Sequence, residues 1–167
     1  MPEPQASPTS FVHLKTPVGK LLIAGDKESV RHIRFERDNA PEPGWEKGTT
    51  PPIRDALSQL NGYFERRRRS FDLPLAPEGT PFQKRVWAEL QRIPFGATVS
   101  YGELARRVGE PTASRAVGAA NGANPIPIVI PCHRVVGADG KLTGFGGGIE
   151  VKARLLELEA GQVKIFA

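Results

Sequence analysis

The chain has 167 residues, enough for one domain or two small ones with a hydrophobic core. Its 25% charged and 39% hydrophobic residues are typical of a globular protein, and no run approaches the ~20 apolar residues of a membrane-spanning helix, so we expect no membrane association. The formal net charge of +5 favours a polyanion, nucleic acid first, as the partner.

The chain contains a single cysteine, Cys132. A single thiol cannot form an internal disulfide, which fits a reducing compartment. We therefore expect a cytoplasmic protein, associated with the nucleoid if its source is a prokaryote. One cysteine and three scattered histidines argue against a structural zinc site, and we expect neither a metal nor another cofactor.

The N-terminal half predicts a small α/β domain. Residues 1–9 are rich in proline and polar residues and indicate a flexible tail rather than a signal peptide. Alternating apolar residues, separated by turn residues, then predict an antiparallel meander of three strands at 11–14, 21–24 and 30–35. We place this domain at 10–75 and a linker at 76–81.

Within that domain, four prolines indicate a loop over 37–52. Apolar residues at helical spacing predict a helix over 53–67. The arginine run at 66–69 is either a solvated helix end or a patch that contacts phosphate. Residues 71–75 indicate a short extended segment.

The second half, 82–167, predicts a helical domain. Thr80 and Pro81 are typical N-cap and first-position residues of a helix that ends before a turn at 94–96. Ser100 and Glu103 have the spacing of a capping box, with the serine covering a free amide and the glutamate reaching back.

The capped helix is expected to run to about residue 108. A turn at 109–111 and a further helix to about 122 complete a helix-turn-helix pattern. Helical hairpins of this length are also common in proteins that bind no DNA, so the pattern alone leaves both possibilities open.

The second of these helices consists mostly of small residues. Such a face permits either close packing against another helix or entry into a narrow DNA groove, where we expect contacts from Ala116, Ala119 and Ala120. Arg115 is the one long cationic side chain among them, and it could fill a gap in a base stack or be an ordinary surface arginine.

The chain is organised around Cys132 and the histidine that follows it. Three prolines and four apolar residues precede the pair in residues 124–131, and Val135 follows it. A buried, inert cysteine is the usual state of a lone thiol, whereas a nucleophilic cysteine needs a partner that ionises it. Downstream, the glycine-rich segment 144–148 could bring backbone amides to a ligand or serve as a flexible connector. A last helix, 150–159, places Lys152 and Glu159 two turns apart in similar directions.

Pro131-Cys132-His133-Arg134-Val135 matches the signature of the O6-alkylguanine-DNA alkyltransferases. Further segments resemble this family in order and spacing: Ser100 to Ala105, Ser114 to Gly118, Asn121 to Pro125 and Gly144 to Gly148. The resemblance is strong over about 80–160 and looser before it. It implies a ribonuclease-H-like N-terminal domain and a winged helix-turn-helix-like C-terminal domain, so we predict a two-part α/β protein of the α+β type.

The resemblance also implies a function and residue roles. Cys132 would accept the alkyl group from O6 of guanine in double-stranded DNA, once and irreversibly, after base flipping from the minor groove. His133 would deprotonate the thiol through a water molecule, and Glu159 would orient His133. Asn124 would brace the turn between the recognition helix and an active-site strand, and Lys152 would favour the thiolate.

On the base side, the family implies that the Tyr101 hydroxyl points to N3 of guanine and that Arg115 replaces the flipped base. The Gly146 amide would donate to O6, and the carbonyl groups of Cys132 and Val135 would accept from the exocyclic amine. Phe145 would form a wall of the alkyl pocket. Family members often have tyrosine at this position, which leaves the preferred alkyl size open.

We expect a monomer; the sequence leaves open cooperative binding along DNA and reaction with O4-alkylthymine. Two other functions also fit the residues. One is a DNA-binding module with an inert cysteine, and the other is a cysteine hydrolase that uses Cys132, His133 and Glu159. A hydrolase would turn over repeatedly, whereas the transferase stops after one event per molecule.

Overall fold

The computed structural model describes residues 8–161. The predicted tail, 1–9, falls outside this range except for its last two residues, and so does the segment 162–167 of the predicted C-terminal domain. The Thr9 carbonyl accepts a hydrogen bond of 2.9 Å from the Glu46 amide, so this end of the predicted tail is attached to the sheet.

The three predicted N-terminal strands are confirmed. β1 is Ser10–Thr16, β2 is Gly19–Gly25 and β3 is Val30–Arg34, and each is antiparallel to the next. Because successive side chains point to opposite faces of a sheet, Leu21 and Ile23 face the main core while Leu22 and Ala24 face a smaller cluster covered by Trp45.

The predicted loop at 37–52 contains some regular structure. A 3₁₀ helix spans Glu36–Asp38, and β4, Glu46–Lys47, pairs in parallel with β1, which gives the sheet order β3-β2-β1-β4. A two-residue strand has no periodicity of its own, so only its pairing with distant residues reveals it.

α1 spans Pro51–Phe64 and is capped by the Thr50 hydroxyl, which accepts a hydrogen bond from the Ile53 amide. The helix ends before the predicted residue 67, and Arg66 lies in the left-handed region at φ 63°. The segment 76–81, which we propose as the linker, is held against β3, because the Ala76 amide donates to the Val30 carbonyl at 3.0 Å.

The C-terminal half is helical. Its elements are α2 Pro81–Leu90, β5 Val99–Ser100, α3 Tyr101–Arg107, α4 Ser114–Gly122, β6 Val135–Val136 and α5 Ile149–Glu159. Thr80 and Pro81 start α2 as predicted, and Gly109 turns the chain between α3 and α4 at φ 82°. None of the helices within residues 8–161 combines the length and the apolarity that crossing a membrane requires.

The predicted capping box of α3 is only half present. The Ser100 hydroxyl accepts a hydrogen bond from the Glu103 amide at 3.0 Å. The Glu103 carboxylate turns instead to the guanidinium groups of Arg106 and Arg107, at 2.6 and 3.2 Å. Charge-assisted bonds to two arginines are stronger than one bond to a backbone amide, and that accounts for the difference.

The two halves share one core in which α1, β2, α2, α4 and α5 all contribute buried side chains. A backbone hydrogen bond of 3.0 Å joins the Ile33 amide on β3 to the Pro125 carbonyl, just after α4. The N-terminal sheet therefore lies directly against the segment that carries Cys132.

Candidate active site

Cys132 lies at the start of a 3₁₀ turn, Cys132–Arg134, rather than on the strand that we expected. The turn leads into β6, whose pairing with β5 fixes its far end. Pro131 precedes it, and Ile128 is held at φ 73°, a strained conformation for a β-branched residue. The backbone before the thiol is thus tightly constrained.

The Asn124 side chain braces this segment from within. Its amide nitrogen donates to the Ile130 carbonyl at 2.7 Å, and its oxygen accepts from the Ile126 amide at 3.0 Å. Both bonds lie across the turn that connects α4 to Cys132. The Asn124 side chain thus joins the end of α4 to the segment that leads to Cys132.

A cavity of about 350 Å³ opens beside the thiol. Its walls come from β3, the end of α4, the turn after it and the glycine segment, and they include Phe35, Asn121, Cys132, Phe145 and Gly146. The volume is within the range of pockets that bind small organic ligands. The expected pocket residues Phe145 and Gly146 are therefore next to the thiol.

The resting thiol differs from the sequence-based expectation. We expected a thiol whose pKa is lowered by its neighbours, but burial raises the pKa of Cys132 to about 11. A hydrogen bond from Asn124 and the charge of Lys152 act in the opposite direction and are outweighed. Because the thiol is protonated at neutral pH, a base must remove its proton during the reaction.

His133, the next residue in the chain, has a geometry that suits such a base. Its Nε2 lies 2.6 Å from Oε2 of Glu159, and both side chains are buried. Burial by itself would raise the pKa of Glu159, but hydrogen bonds from His133 and Arg134 outweigh it and lower the pKa to about 2. The ionised carboxylate can only accept, so Nε2 carries the hydrogen.

The other ring nitrogen is therefore the basic one. Burial lowers the pKa of His133 despite the neighbouring carboxylate, so the imidazole is neutral and Nδ1 holds a lone pair. Among residues 8–161, Nδ1 has no hydrogen-bond partner. The arrangement leaves one imidazole nitrogen ready to accept a proton and the other fixed by a carboxylate.

The Glu159 carboxylate also binds two residues that the sequence analysis did not select. Arg134 donates through Nε to Oε1 at 2.7 Å and through Nη2 to Oε2 at 3.0 Å. The Tyr63 hydroxyl, from α1, donates to Oε2 at 2.6 Å. Arg134 could have been found from its place directly after Cys132-His133, whereas no local pattern separates Tyr63 from the apolar residues of α1.

Lys152 is fully buried on α5, with its ammonium 6.0 Å from the centre of the Phe145 ring. Its Nζ makes no hydrogen bond to the part of the chain that the structure describes. Burial lowers the pKa of Lys152, and Cys132 opposes this shift. Its charge lowers the pKa of the Cys132 thiol.

The glycine segment and the residue before it lie in contact with Tyr101 and with the residue that follows β3. The Tyr101 hydroxyl is 2.7 Å from the Thr143 hydroxyl, and the ring of Phe145 lies 5.3 Å from that of Phe35. A side chain at Gly147 would come within 2.7 Å of the Phe35 ring, so glycine is required for this approach. The segment is packed against β3 rather than being a free connector.

The small-residue face of α4 is divided between solvent and core. Arg115, Ala116 and Ala119 are exposed, as a DNA-contacting face requires. The prediction for Ala120 is wrong, because this residue is buried and its carbonyl accepts the Trp87 indole hydrogen at 2.8 Å. Ala120 directly follows the exposed Ala119, and one residue along the helix is enough to turn its side chain away from the exposed face.

Val135 is a second correction. The residue is fully buried and is not among those that surround the cavity, so its carbonyl is closed to a base in this structure. The Cys132 carbonyl instead receives a weak hydrogen bond, 3.4 Å long, from the Asn121 side chain. As for metals, the described residues contain no group of three or more His, Cys, Asp or Glu side chains that could hold an ion.

Two family models match successive parts of the chain. Residues 12–77 match the ribonuclease-like domain of 6-O-methylguanine DNA methyltransferase, and 81–161 match its DNA-binding domain. The chain belongs to the 6-O-methylguanine DNA methyltransferase family. The predicted mixed α/β fold, with an N-terminal sheet domain and a helical C-terminal domain, is confirmed.

Several relatives in this family are similar over nearly the whole chain. A curated methylated-DNA–protein-cysteine methyltransferase from Methanosarcina acetivorans is 48% identical, covering 89% of this chain and 97% of the relative. One from Haemophilus influenzae is 47% identical, covering 89% and 85%. The crystal structure of Mycobacterium tuberculosis OGT in complex with DNA superposes with a TM-score of 0.85 at 46% identity, covering 90% and 92%.

Proposed function

We propose that this protein repairs DNA by direct reversal, moving the alkyl group of O6-alkylguanine to Cys132 in a single irreversible event. The observation that carries the proposal is the position of the Cys132 thiol at the wall of the 350 Å³ cavity. The next residue in the chain, His133, forms a buried pair with Glu159. The methyltransferase relatives, and the DNA in the superposed crystal structure, support alkylated DNA as the substrate.

In the proposed reaction, Sγ of Cys132 attacks the alkyl carbon while the bond from that carbon to O6 breaks. The thiol proton passes through a water molecule to Nδ1 of His133, and Glu159 stabilises the imidazolium. The departing guanine takes up one proton, so the products are a thioether and unmodified guanine. Lys152 lowers the cost of forming the thiolate.

On the other side of the substrate, the family resemblance supplies the donors. We propose that the Tyr101 hydroxyl turns from Thr143 towards N3 of guanine and that the Gly146 amide donates to O6. Phe145 packs against the alkyl group. We further propose a cytoplasmic monomer, since the reaction needs one free thiol and access to DNA.

The test is to weigh the protein after incubation with duplex DNA that contains O6-methylguanine. We expect a mass gain of one methyl group, located on Cys132, and a reaction that ends when each molecule has reacted once. An unmodified protein would support the inert binding module. Repeated turnover would support the hydrolase instead.

Arg115→Ala should slow repair of duplex DNA by about tenfold or more, because the exposed arginine is proposed to fill the place of the flipped base and unstacking costs a few kcal/mol. Reaction with free O6-alkylguanine base, which needs no flipping, should be nearly unchanged. The measurement compares single-turnover rates on both substrates.

Arg92→Ala is the matched control for charge, because Arg92 is exposed beyond the end of α2 and pairs only loosely with Glu89, at 3.9 Å. It should leave both rates nearly unchanged. Equal losses on duplex and free base in the Arg115 variant would remove Arg115 from base replacement.

A further inference from the structure

We propose that Tyr63 is a positioning residue for alkyl transfer: its hydroxyl fixes the Glu159 carboxylate, and through it the His133 imidazole. The inference rests on the proposed function. It assigns a positioning role to a residue of α1, in the N-terminal half of the molecule. It also adds a third group to the buried His133–Glu159 pair.

The geometry that carries it is one shared oxygen atom. Oε2 of Glu159 accepts from the Tyr63 hydroxyl and from Nε2 of His133, each at 2.6 Å. Tyr63 is fully buried, as are the other two groups. The hydroxyl is therefore in direct contact with the atom that orients the base.

The Tyr63 hydroxyl is the donor in its contact with Glu159. Burial and the negative charge of Glu159 raise the pKa of Tyr63 far above its ordinary value, so the hydroxyl keeps its hydrogen. The ring is packed among Phe64, Phe71 and Phe95, with ring centres 5.1, 5.5 and 6.2 Å away. This packing gives the hydroxyl one fixed position.

The remaining contacts of Glu159 show what Tyr63 adds. Arg134 bridges both carboxylate oxygens and supplies the countercharge. Tyr63 brings no charge, but it competes with His133 for the electron density of Oε2. Other charged groups also face this cluster. Lys152 lowers the pKa of His133. Three arginines line a surface cavity that Glu159 also borders: Arg66, Arg68 and Arg69.

Removing the Tyr63 hydroxyl should have two consequences. The carboxylate loses one of its fixed contacts, so His133 is held less firmly and transfer slows. The Oε2 atom becomes a better partner for the imidazolium, so the pKa of His133 rises. A higher pH is then needed to keep His133 neutral and able to accept the thiol proton.

Tyr63→Phe tests this inference, because it deletes only the hydroxyl and keeps the ring. We expect the single-turnover rate of methyl transfer to Cys132 to fall by about tenfold to a hundredfold at its pH plateau, as for the loss of a hydrogen bond to a charged group. The acid limb of the rate–pH profile should move to higher pH. NMR titration of the three histidines should show the same direction of shift for His133.

Phe71→Leu is the matched control, because Phe71 packs on the same tyrosine ring and makes no contact with the carboxylate. It should lower thermal stability and leave the acid limb in place. An unchanged rate and profile in Tyr63→Phe, or the same shift in Phe71→Leu, would overturn the positioning role. Failure of the wild-type protein to accept a methyl group would instead reject the proposed function, so the two failures are distinguishable.

Discussion

Cys132→Ala is expected to abolish alkyl transfer completely while DNA affinity changes by less than about threefold. The variant removes the atom that forms the new bond, and no other cysteine exists to replace it. The exposed face of α4, with Arg115, Ala116 and Ala119, is unaffected because it lies outside the Cys132 turn. Mass spectrometry measures the transfer, and fluorescence anisotropy with alkylated duplex measures the affinity.

The stability of this variant should be close to that of the wild-type protein. Alanine fits where cysteine was and leaves only a small void, at a cost of roughly 1 kcal/mol. Loss of DNA binding together with transfer would contradict the separation of the chemical site from the DNA-contacting helix. Residual methylation of the variant would show that another residue accepts the group.

Glu159→Gln is expected to reduce both stability and transfer. At neutral pH the carboxylate accepts from His133, Arg134 and Tyr63, and an amide that must itself donate cannot satisfy all of them. Removing one partner of a buried ion pair costs about 3–5 kcal/mol, so we expect a loss of this size in the free energy of unfolding. Transfer should fall by at least about a hundredfold, because His133 loses its orientation and its countercharge.

The stability difference should depend on pH in one direction. The pKa of Glu159 is lowered from 4.5 to about 2, so its carboxylate stabilises the folded state above pH 4.5 and this contribution is lost as the pH falls towards 2. Urea unfolding over a pH series should therefore show the wild-type advantage shrinking in acid.

Glu157→Gln provides the comparison on the same helix. Glu157 is partly exposed on α5 and makes no salt bridge within residues 8–161, so its replacement should change the unfolding free energy by less than about 0.5 kcal/mol. A Glu159 variant as stable as wild type at neutral pH, or a difference that stays constant into acid, would contradict the ion-pair account.

Elements whose signals are local were predicted correctly. The three strands of the meander, the start of α2 and the helix-turn-helix pattern follow from alternation, capping residues and glycine turns. The half-formed capping box at Ser100 and the short strand β4 did not follow, because each depends on a competing partner: two arginines in one case and β1 in the other.

The face of α4 that we propose for DNA contact shows how a shift of one residue along a helix changes an assignment. Composition selected Ala116, Ala119 and Ala120 together, since all three are small. The packing of α2 on α4 decides the phase of the helix, and the bond from the Trp87 indole draws Ala120 into the core. Small residues permit close helix packing and entry into a DNA groove equally well. Only the position of the neighbouring helix, α2, distinguishes the residues that pack from those that are exposed.

By itself the sequence identified the candidate nucleophile and the reaction class, because the segment from Pro131 to Val135 occurs together with other segments in the order and spacing of the family. Only the tertiary structure showed what surrounds the thiol. The burial that raises the pKa of Cys132, the single carboxylate shared by His133, Arg134 and Tyr63, and the cavity between β3 and the glycine segment all join residues far apart in the chain. Desolvation and hydrogen-bond geometry depend on what surrounds a group in space, which no local pattern of residues records.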